Sequence, residues 1–122
     1  MFKKDGQDNM WLTRGDTLYL DVKNLKYRDE DGQIQDYEFI TGDKVYFRLK
    51  VNDGLVVEKQ FAVDLEENKA SLELVPSDTE SLTNGAIYNY EIEVVTADSK
   101  HFTIKENKKF TIGTELEVHD NG

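Results

Sequence analysis

Apolar and polar residues alternate along several short segments of the chain, and this two-residue period limits the folds that it can adopt. Each segment places its apolar residues on one side of an extended backbone, which is typical of strands in sheets packed on one face. The segments lie at residues 18–23, 44–51, 70–74, 88–94, 102–104 and 110–112. No window of a dozen residues carries a sustained helical stripe. The pattern therefore predicts an all-β fold.

Composition is consistent with one compact domain. The chain has 122 residues, of which 38% are hydrophobic, and it contains six Phe, six Tyr, one Trp and no cysteine. A chain of this size buries enough surface to need no metal or disulfide staple, and without cysteine it has no disulfide or thiol chemistry. No stretch approaches the ~20 apolar residues of a membrane span, and the N-terminal charges have no apolar core behind them. We predict a single domain at 10–113, flexible tails at 1–9 and 114–122, no membrane partner and no Sec export.

Acidic residues outnumber basic ones, and they are concentrated in one segment. The formal net charge is −10, and residues 29–43 hold six acids with no Lys or Arg. Because nucleic-acid binding depends on neutralising phosphates, this balance argues against a nucleic-acid partner. High negative charge favours solubility and discourages non-specific association. It suits a protein that stays monomeric until a partner captures it.

Turn residues predict two hairpins and their register. A three-residue loop at 52–54, with Gly54 in the left-handed conformation, keeps the apolar residues of both flanking strands on one face. A three-residue loop at 97–99 does the same for the next hairpin. The resulting pairs are Val51–Leu55, Leu49–Val57, Val45–Phe61, Val94–Phe102 and Ile92–Ile104.

Two further signals divide the rest of the chain. A short helical turn is predicted near 77–82, where Ser77 and Glu80 have the spacing of a capping box. Asn107 and Lys108 interrupt the last apolar alternation, which suggests that the residues before and after them belong to different sheets.

Counting the segments predicts the architecture. Seven or eight short strands separated by turn signals favour a two-sheet antiparallel β-sandwich, with a small barrel as the alternative. Residues 24–42 carry no clear pattern. The apolar residues of this segment are Tyr37, Phe39 and Ile40. We expect them either to anchor the segment to the core or to form a short strand.

The residue types of common catalytic sites are scarce. His101 and His119 are the only histidines, and neither has a nucleophile at a recognisable spacing. Glu91 and Glu93 share one face of a strand, whereas glycosidase carboxylates flank a cleft. We interpret both glutamates as solvated outward positions. The sequence predicts no catalytic residues and no enzymatic activity.

The acidic segment offers one candidate for a metal. Asp29, Asp31 and Asp36 supply oxygen ligands of the kind that Ca²⁺ takes, although the spacing is not that of an EF-hand. The alternative is a solvated hairpin tip, since Asp and Gly are ordinary turn residues. We predict no cofactor other than this Ca²⁺ candidate.

Three aromatic residues are candidates for partner contact. Tyr19 and Tyr46 are expected to point outward from their strands, and Trp11 is expected to plug one end of the core or cover an edge. Aromatic residues are enriched at interfaces, but they are also common in strands.

The order of several short motifs resembles a known group of proteins. The motifs are Leu12-Thr13-Arg14-Gly15-Asp16-Thr17, Gly42-Asp43-Lys44-Val45-Tyr46-Phe47, Leu82-Thr83-Asn84-Gly85 followed by Ile87-Tyr88-Asn89-Tyr90-Glu91-Ile92, Phe102-Thr103-Ile104 and Lys109-Phe110-Thr111-Ile112. Together they resemble small immunoglobulin-like β-sandwich structural proteins of tailed phages and prophages, including the N-terminal modules of baseplate upper proteins. The resemblance spans residues 10–113. The acidic insert at 29–43 departs from it, since a tighter hairpin is expected there.

This resemblance implies a function. The expected role is that of a virion component in a tail, baseplate or neck, which packs against other phage structural proteins or against itself. Its expected location is the cytoplasm of the bacterial host and then the virion. The alternative is a carbohydrate- or cell-surface-binding module, which would need a solvent-facing aromatic platform such as Tyr19 and Tyr46 on one sheet.

Overall fold

The regular secondary structure of the described residues is almost entirely β-strand, as the alternation predicts. The computed structural model describes residues 2–113, apart from the side chains of residues 106 and 107. The elements are β1 (Phe2–Lys4), β2 (Met10–Thr13), β3 (Leu18–Lys23), β4 (Lys26–Arg28), β5 (Ile34–Asp36), β6 (Lys44–Val51), β7 (Gly54–Gln60), β8 (Ala62–Asp64), β9 (Lys69–Leu74), α1 (Pro76–Thr79), β10 (Ile87–Val95) and β11 (His101–Gly113). The described residues thus hold eleven strands rather than seven or eight. The extra ones have three residues each, too few to show a period.

The strands form three sheets. The largest has the order β1-β2-β11-β10-β6-β7, the second has the order β3-β9-β8, and β4 pairs with β5 alone. The prediction of antiparallel pairing throughout is wrong at one place, because β2 runs parallel to β11 with Met10 opposite Phe110. After β2 the chain crosses to the three-stranded sheet, where it forms β3. β2 itself stays in the six-stranded sheet and runs beside β11 in the same direction.

One hydrophobic core lies between the two larger sheets. Phe47 of β6 is fully buried, and its ring centroid lies 5.7 Å from that of Tyr90 and 6.0 Å from that of Phe110. The three-stranded sheet contributes Leu72 and Leu74 to the same core. Most of the alternate residues of the predicted segments are buried there, which is the arrangement that the period requires.

The first predicted hairpin is right in its strand pairing and wrong in its loop. The loop has two residues, Asn52 and Asp53, with φ of 50° and 64°, and Gly54 begins β7. Two successive positive φ angles define the type I′ turn that suits the twist of a hairpin. A bulge after Leu49 then restores the predicted partner, so that Leu49 still lies opposite Val57. The predicted pair of Val51 with Leu55 is wrong, because the shorter loop places Gly54 opposite Val51.

The second predicted hairpin is confirmed at its loop. Thr96 N–H donates to the carbonyl of Lys100 at 2.8 Å, which encloses the three residues at 97–99. Val94 lies opposite Phe102, as predicted.

The last strand is continuous, and the prediction that it divides between two sheets is wrong. β11 pairs with β10 on both sides of the interruption at 107–108. Register shifts in this ladder place Ile92 opposite Lys105 instead of Ile104. The irregularity in the sequence is thus absorbed by bulges within one strand pair.

The helical turn is present, but different residues cap it. The carboxylate of Asp78 accepts from the N–H of Val75 at 2.8 Å and pairs with Lys59 at 2.6 Å. The predicted pair of Ser77 and Glu80 does not form the cap, since α1 begins at Pro76, where proline is favoured.

The start of the chain belongs to the large sheet, in contrast to the predicted tail at 1–9. β1 pairs with β2, and the carboxylate of Asp5 accepts from the N–H groups of Gln7 and Asn9 at 2.8 and 2.9 Å in the connecting turn. The predicted tail at 114–122 lies outside the described residues.

Candidate functional site

Four residues that alternation places on the inner faces are only partly buried, and three of them mark openings into the core. Leu20, Phe102 and Ile104 lie on inward positions, yet Phe102 is 44% exposed and the other two are half-buried. Val51, the fourth, lies at the hairpin end of β6. The first three line two concavities, which we call the arm groove and the edge cleft.

The arm groove lies beside residues 24–42, which hold most of the acidic segment and which we call the arm. The arm projects as the β4–β5 hairpin and is anchored at its base by Phe39, which is buried, whereas Ile40 is exposed. Phe39 N–H donates to the side-chain oxygen of Asn68 at 2.8 Å, and the amide of Asn68 donates to the carbonyl of Tyr37 at 3.2 Å. The prediction that apolar residues anchor this segment is confirmed for Tyr37 and Phe39.

A buried carboxylate fixes the arm against the β10–β11 loop. Asp43 is 6% exposed and accepts hydrogen bonds from the hydroxyl of Tyr37 at 2.6 Å, from Ile40 N–H at 2.9 Å and from Ala97 N–H at 2.9 Å. Burial and the contact with Asp43 raise the pKa of Tyr37 above its usual range, so its hydroxyl stays a donor. Gly42 has φ of 98°, and a Cβ at this position would lie 3.0 Å from the Cβ of Ala97. Both features hold the arm close to the loop.

The space between the arm and β11 is the arm groove. Its outer part has a volume of about 870 Å³ and an acidic rim that includes Glu30 and Glu38. Its inner part, of about 370 Å³, is mostly apolar. Tyr27, Tyr37 and Phe102 line both parts.

The carboxylates of two of the three calcium candidates are engaged in other contacts. The carboxylate of Asp29 accepts from the N–H groups of Asp31 and Gln33 at 3.0 and 2.9 Å, and these bonds within the hairpin tip lower its pKa. Asp36 pairs with Lys26 across the hairpin. Within residues 2–113 no three acidic or histidine side chains converge as a metal would require. Calcium binding by Asp29, Asp31 and Asp36 stays a prediction.

The outer face of the six-stranded sheet carries a row of charges. Arg48 bridges Glu58 at 2.7 Å and Glu93 at 2.9 Å, and Glu93 lies 3.4 Å from the exposed His101. The hydrogen bond from Arg48 lowers the pKa of Glu93. Glu91 pairs separately with Lys50. The two glutamates are therefore neutralised by cations of β6, and the role of Arg48 was not recognised in the sequence. His119 lies outside the described residues.

The three aromatic contact candidates do not form a common surface. Tyr19 is 70% exposed on β3, whereas Tyr46 is half-buried on β6 of the other sheet, beneath Arg48 at 5.0 Å. Trp11 lies half-buried on the outward side of β2 with Lys3 at 5.9 Å from its ring, so it does not plug the core. It does not lie on an edge strand either, because β2 is flanked by β1 and β11. The platform of Tyr19 and Tyr46 on one sheet is thus contradicted, because the two strands belong to different sheets.

Two long strands lie at sheet edges. β7 pairs with β6 alone among the described strands, but the bulge after Leu49 interrupts its ladder, and Lys59 lies partly buried on it, held by Asp78. Within residues 2–113, β3 pairs with β9 alone, and its ladder is regular over six residues from Leu18 to Lys23. Edge strands present unpaired backbone N–H and C=O groups to any added strand. The edge of β3 is therefore the longer regular template.

The edge cleft lies directly beside β3. It has a volume of about 240 Å³ and opens between β3 and the inner faces of β10 and β11. Its apolar lining comes from both sheets and consists of Met10, Leu20, Val22, Leu25, Tyr90, Ile92 and Ile104. The cleft gives access to the margin of the core from the unpaired side of β3.

Lysines dominate the mouth of the edge cleft. Lys4, Lys23 and Lys105 line it together with Asp8 and Asp21. Asp8 is shared by Lys105 at 2.5 Å and Lys4 at 3.6 Å, and the hydrogen bond from Lys105 lowers its pKa. Three lysines and two aspartates thus leave a formal excess of one positive charge here, in a chain with a net charge of −10.

Comparison with known proteins gives no identification. No protein-family model, no curated protein and no solved structure matches the chain. Among residues 2–113, none of the helical structure has the length and apolarity needed to traverse a bilayer.

Proposed function

We propose that the chain is an immunoglobulin-like β-sandwich that serves as a non-enzymatic structural or assembly protein of a phage or prophage virion. The strand order supports the fold. In such domains strands B, E and D form one sheet and C, F and G the other, with C′ added beside C in variable types. The sheets β3-β9-β8 and β11-β10-β6-β7 follow that order.

A hydrogen bond at the turn before β10 supports the same fold. The hydroxyl of Tyr88, near the start of β10, accepts from the N–H of Thr83 at 2.8 Å. Immunoglobulin-like domains carry a tyrosine near the start of strand F that bonds to the backbone a few residues upstream. Phe47, Tyr90 and Phe110 occupy the centre of the core, where antibody domains have a tryptophan and a disulfide.

The observation that carries the role in assembly is the open edge of β3. Constant-type domains have strand A beside strand B, whereas here β2 lies beside β11 in the other sheet. Assembly proteins use such edges to pair with strands of their partners. The acidic, cysteine-free composition agrees with a protein that stays soluble in the host cytoplasm until it is captured into the particle.

The test is incorporation into particles. The bacterium that encodes the chain would be induced, and intact particles would be purified by gradient centrifugation and analysed by mass spectrometry and by immunogold labelling. We expect the chain at a fixed ratio to the major tail protein and at one location on the particle. Its absence from intact particles, with the protein present in the lysate, would reject the virion role. An abundant cytoplasmic enzyme of the host serves as the control for carry-over.

The arm groove favours a second candidate function, binding of carbohydrate or another cell-surface ligand. Tyr27 and Phe102 are exposed by 40% and 44% within a groove that has polar and acidic rims. A glycan array followed by calorimetry would test this candidate. Binding that is lost in Tyr27→Ala and kept in Tyr19→Ala would support it, and no binding to any glycan would reject it.

A further inference from the structure

The arm groove holds aromatic rings that the described residues leave accessible. Phe102 and Tyr27 are exposed by 44% and 40%, and both line the outer and the inner part of the groove. Tyr37 also lines both parts, and its ring meets that of Tyr27 edge to face with the centroids 6.2 Å apart. The two tyrosines belong to the arm, whereas Phe102 belongs to β11. A large apolar side chain in the inner part would therefore contact rings on both sides and remove apolar surface from water.

Charges around the arm groove are predominantly negative. Five acidic and three basic residues line its two parts and leave a formal charge of −2; they are Asp29, Glu30, Asp36, Glu38 and Asp98, and Lys26, Arg28 and Lys100. Two of the basic residues are paired within the chain, Lys26 with Asp36 and Lys100 with Asp98, the latter at 3.7 Å. The third, Arg28, donates to a backbone carbonyl in the hairpin tip at 2.6 Å. The groove therefore keeps an excess of negative charge after its internal pairs are counted.

Some of the carboxylates are not paired with a cation in the described part of the chain. Glu30 and Glu38 on the rim form no ion pair with any of residues 2–113. The buried carboxylate of Asp43, at the base of the arm, accepts hydrogen bonds only from neutral donors among the same residues. Burial raises the pKa of Tyr37, and the hydrogen bond to Asp43 and the charges of Asp43 and Asp98 raise it further. The aromatic wall of the groove thus lies in a negative potential, which attracts cations.

The two parts of the groove together indicate what occupies it. The inner part suits an apolar group, and the acidic outer part suits a cationic one, which can also interact with the aromatic rings. Neighbouring side chains of an extended peptide supply both groups, whereas a small cation supplies one and a neutral glycan leaves the charge unused. A second copy of this chain would bring a further net charge of −10. The negative groove therefore favours a basic segment of another protein.

We propose that the arm groove binds a segment of a partner protein in which a large apolar residue is flanked by Lys or Arg. The apolar side chain enters the inner part and packs on Tyr27 and Phe102. The basic side chains lie on the outer rim, near Glu30 and Glu38. The identity of the partner as a virion protein rests on the proposed function, whereas the binding site itself rests on the rings and carboxylates of the groove.

The first experiment uses a synthetic peptide and nuclear magnetic resonance, because shifts of the backbone amide signals locate even weak binding. The probe is acetyl-Gly-Lys-Phe-Arg-Gly-amide. One control peptide has Glu in place of both basic residues, and the other has Ala in place of Phe. We expect shifts within 26–40 and 96–103, and about tenfold weaker binding of each control at low salt, from lost charge attraction in one and lost apolar burial in the other. Equal binding of the Glu control, or no shift in these ranges at about 5 mM probe, would overturn the proposal.

Charge removal on the protein separates a defined site from attraction to net charge. Glu30→Gln combined with Glu38→Gln should weaken binding of the basic peptide about fivefold at low salt, and the difference should shrink as salt is added. Asp53→Asn combined with Glu73→Gln removes the same charge from exposed positions that do not line the groove. This control should change the affinity by less than about twofold. Equal losses in the two double variants would contradict the site.

The contact with the aromatic wall is tested by a double-mutant cycle. Phe102→Ala should weaken binding of the peptide with Phe and change that of the peptide with Ala much less, because only the first peptide has a ring to pack on Phe102. A loss of stability in the variant affects both peptides alike and cancels. Ile87→Ala, which is exposed on another strand, should show no such difference. Equal losses for both peptides in Phe102→Ala would contradict entry of the apolar side chain into the inner part.

Other occupants of the groove give different results in the same experiment. Shifts at the groove with neutral oligosaccharides and none with the basic peptide would replace the protein segment by a carbohydrate. Shifts there that depend on the concentration of the protein alone would replace it by a second copy of the chain. Particle incorporation without peptide binding would reject this inference alone, and peptide binding without incorporation would reject only the virion role.

Discussion

Removing the buried carboxylate of Asp43 tests whether one side chain holds the arm in place. Asp43→Ala eliminates the three hydrogen bonds from Tyr37, Ile40 and Ala97. A hydrogen bond to a charged group contributes about 1.5–3 kcal/mol net. Ile40 is exposed, so its N–H regains water in the variant. We therefore expect the free energy of unfolding to fall by about 3 kcal/mol, less than three times the single value.

Urea denaturation followed by tyrosine and tryptophan fluorescence measures this loss. With a slope of about 1.5 kcal/mol per M for a chain of this length, the midpoint should fall by about 2 M at unchanged slope. Asp43→Asn keeps one acceptor oxygen and should lose about half as much. Asp31→Ala, at the exposed hairpin tip, should change stability by less than about 0.5 kcal/mol. A loss in Asp43→Ala no larger than in Asp31→Ala would refute the assignment of Asp43 as the anchor.

Three further predictions concern other positions. The pKa of Glu93 is lowered by Arg48, so its contribution to stability is present above the unfolded value of 4.5 and is lost as pH falls through the lower folded value. Glu93→Gln should therefore make the free energy of unfolding less dependent on pH below 4.5. An unchanged pH dependence in that range would contradict the pairing of Glu93 with Arg48. Asp53→Gly should raise the free energy of unfolding by about 0.5 kcal/mol, since glycine adopts positive φ without strain, and a loss would argue against the type I′ turn. Tyr88→Phe should lose about 1–2 kcal/mol in the same assay, because Thr83 N–H is left without its acceptor; no loss would show that water replaces the hydroxyl.

The hairpins show how far local sequence can determine register. Alternation required Leu49 to face Val57, and the structure agrees, although the loop is a residue shorter and Gly54 does not carry the positive φ. The bulge compensates for the shorter loop. A bulge leaves few marks in a single sequence, because it depends on the twist and the contacts of both strands together. For the same reason the offset of Ile92 from Ile104 was not predicted.

The candidate sites depended still more on tertiary contacts. Asp43 lies in a sequence motif that looked like the start of a strand, and its role arises because Ala97, far along the chain, approaches it. The edge cleft forms because β2 leaves β3 without a neighbour and joins β11. The sequence does not distinguish the residues of this cleft from core residues. Leu20 and Ile104 fit the apolar pattern, and only the structure shows that they are not fully buried.

The amino-acid sequence by itself determined the strand class, the inward faces and the positions of the main turns of this protein. These follow from a two-residue period and from turn chemistry, both of which act over a few neighbouring residues. Only the tertiary structure decided which strands became edges, where β2 paired in parallel and which inward residues stayed accessible. Those outcomes depend on which distant segments meet, and a pattern confined to neighbouring residues carries no information about that choice.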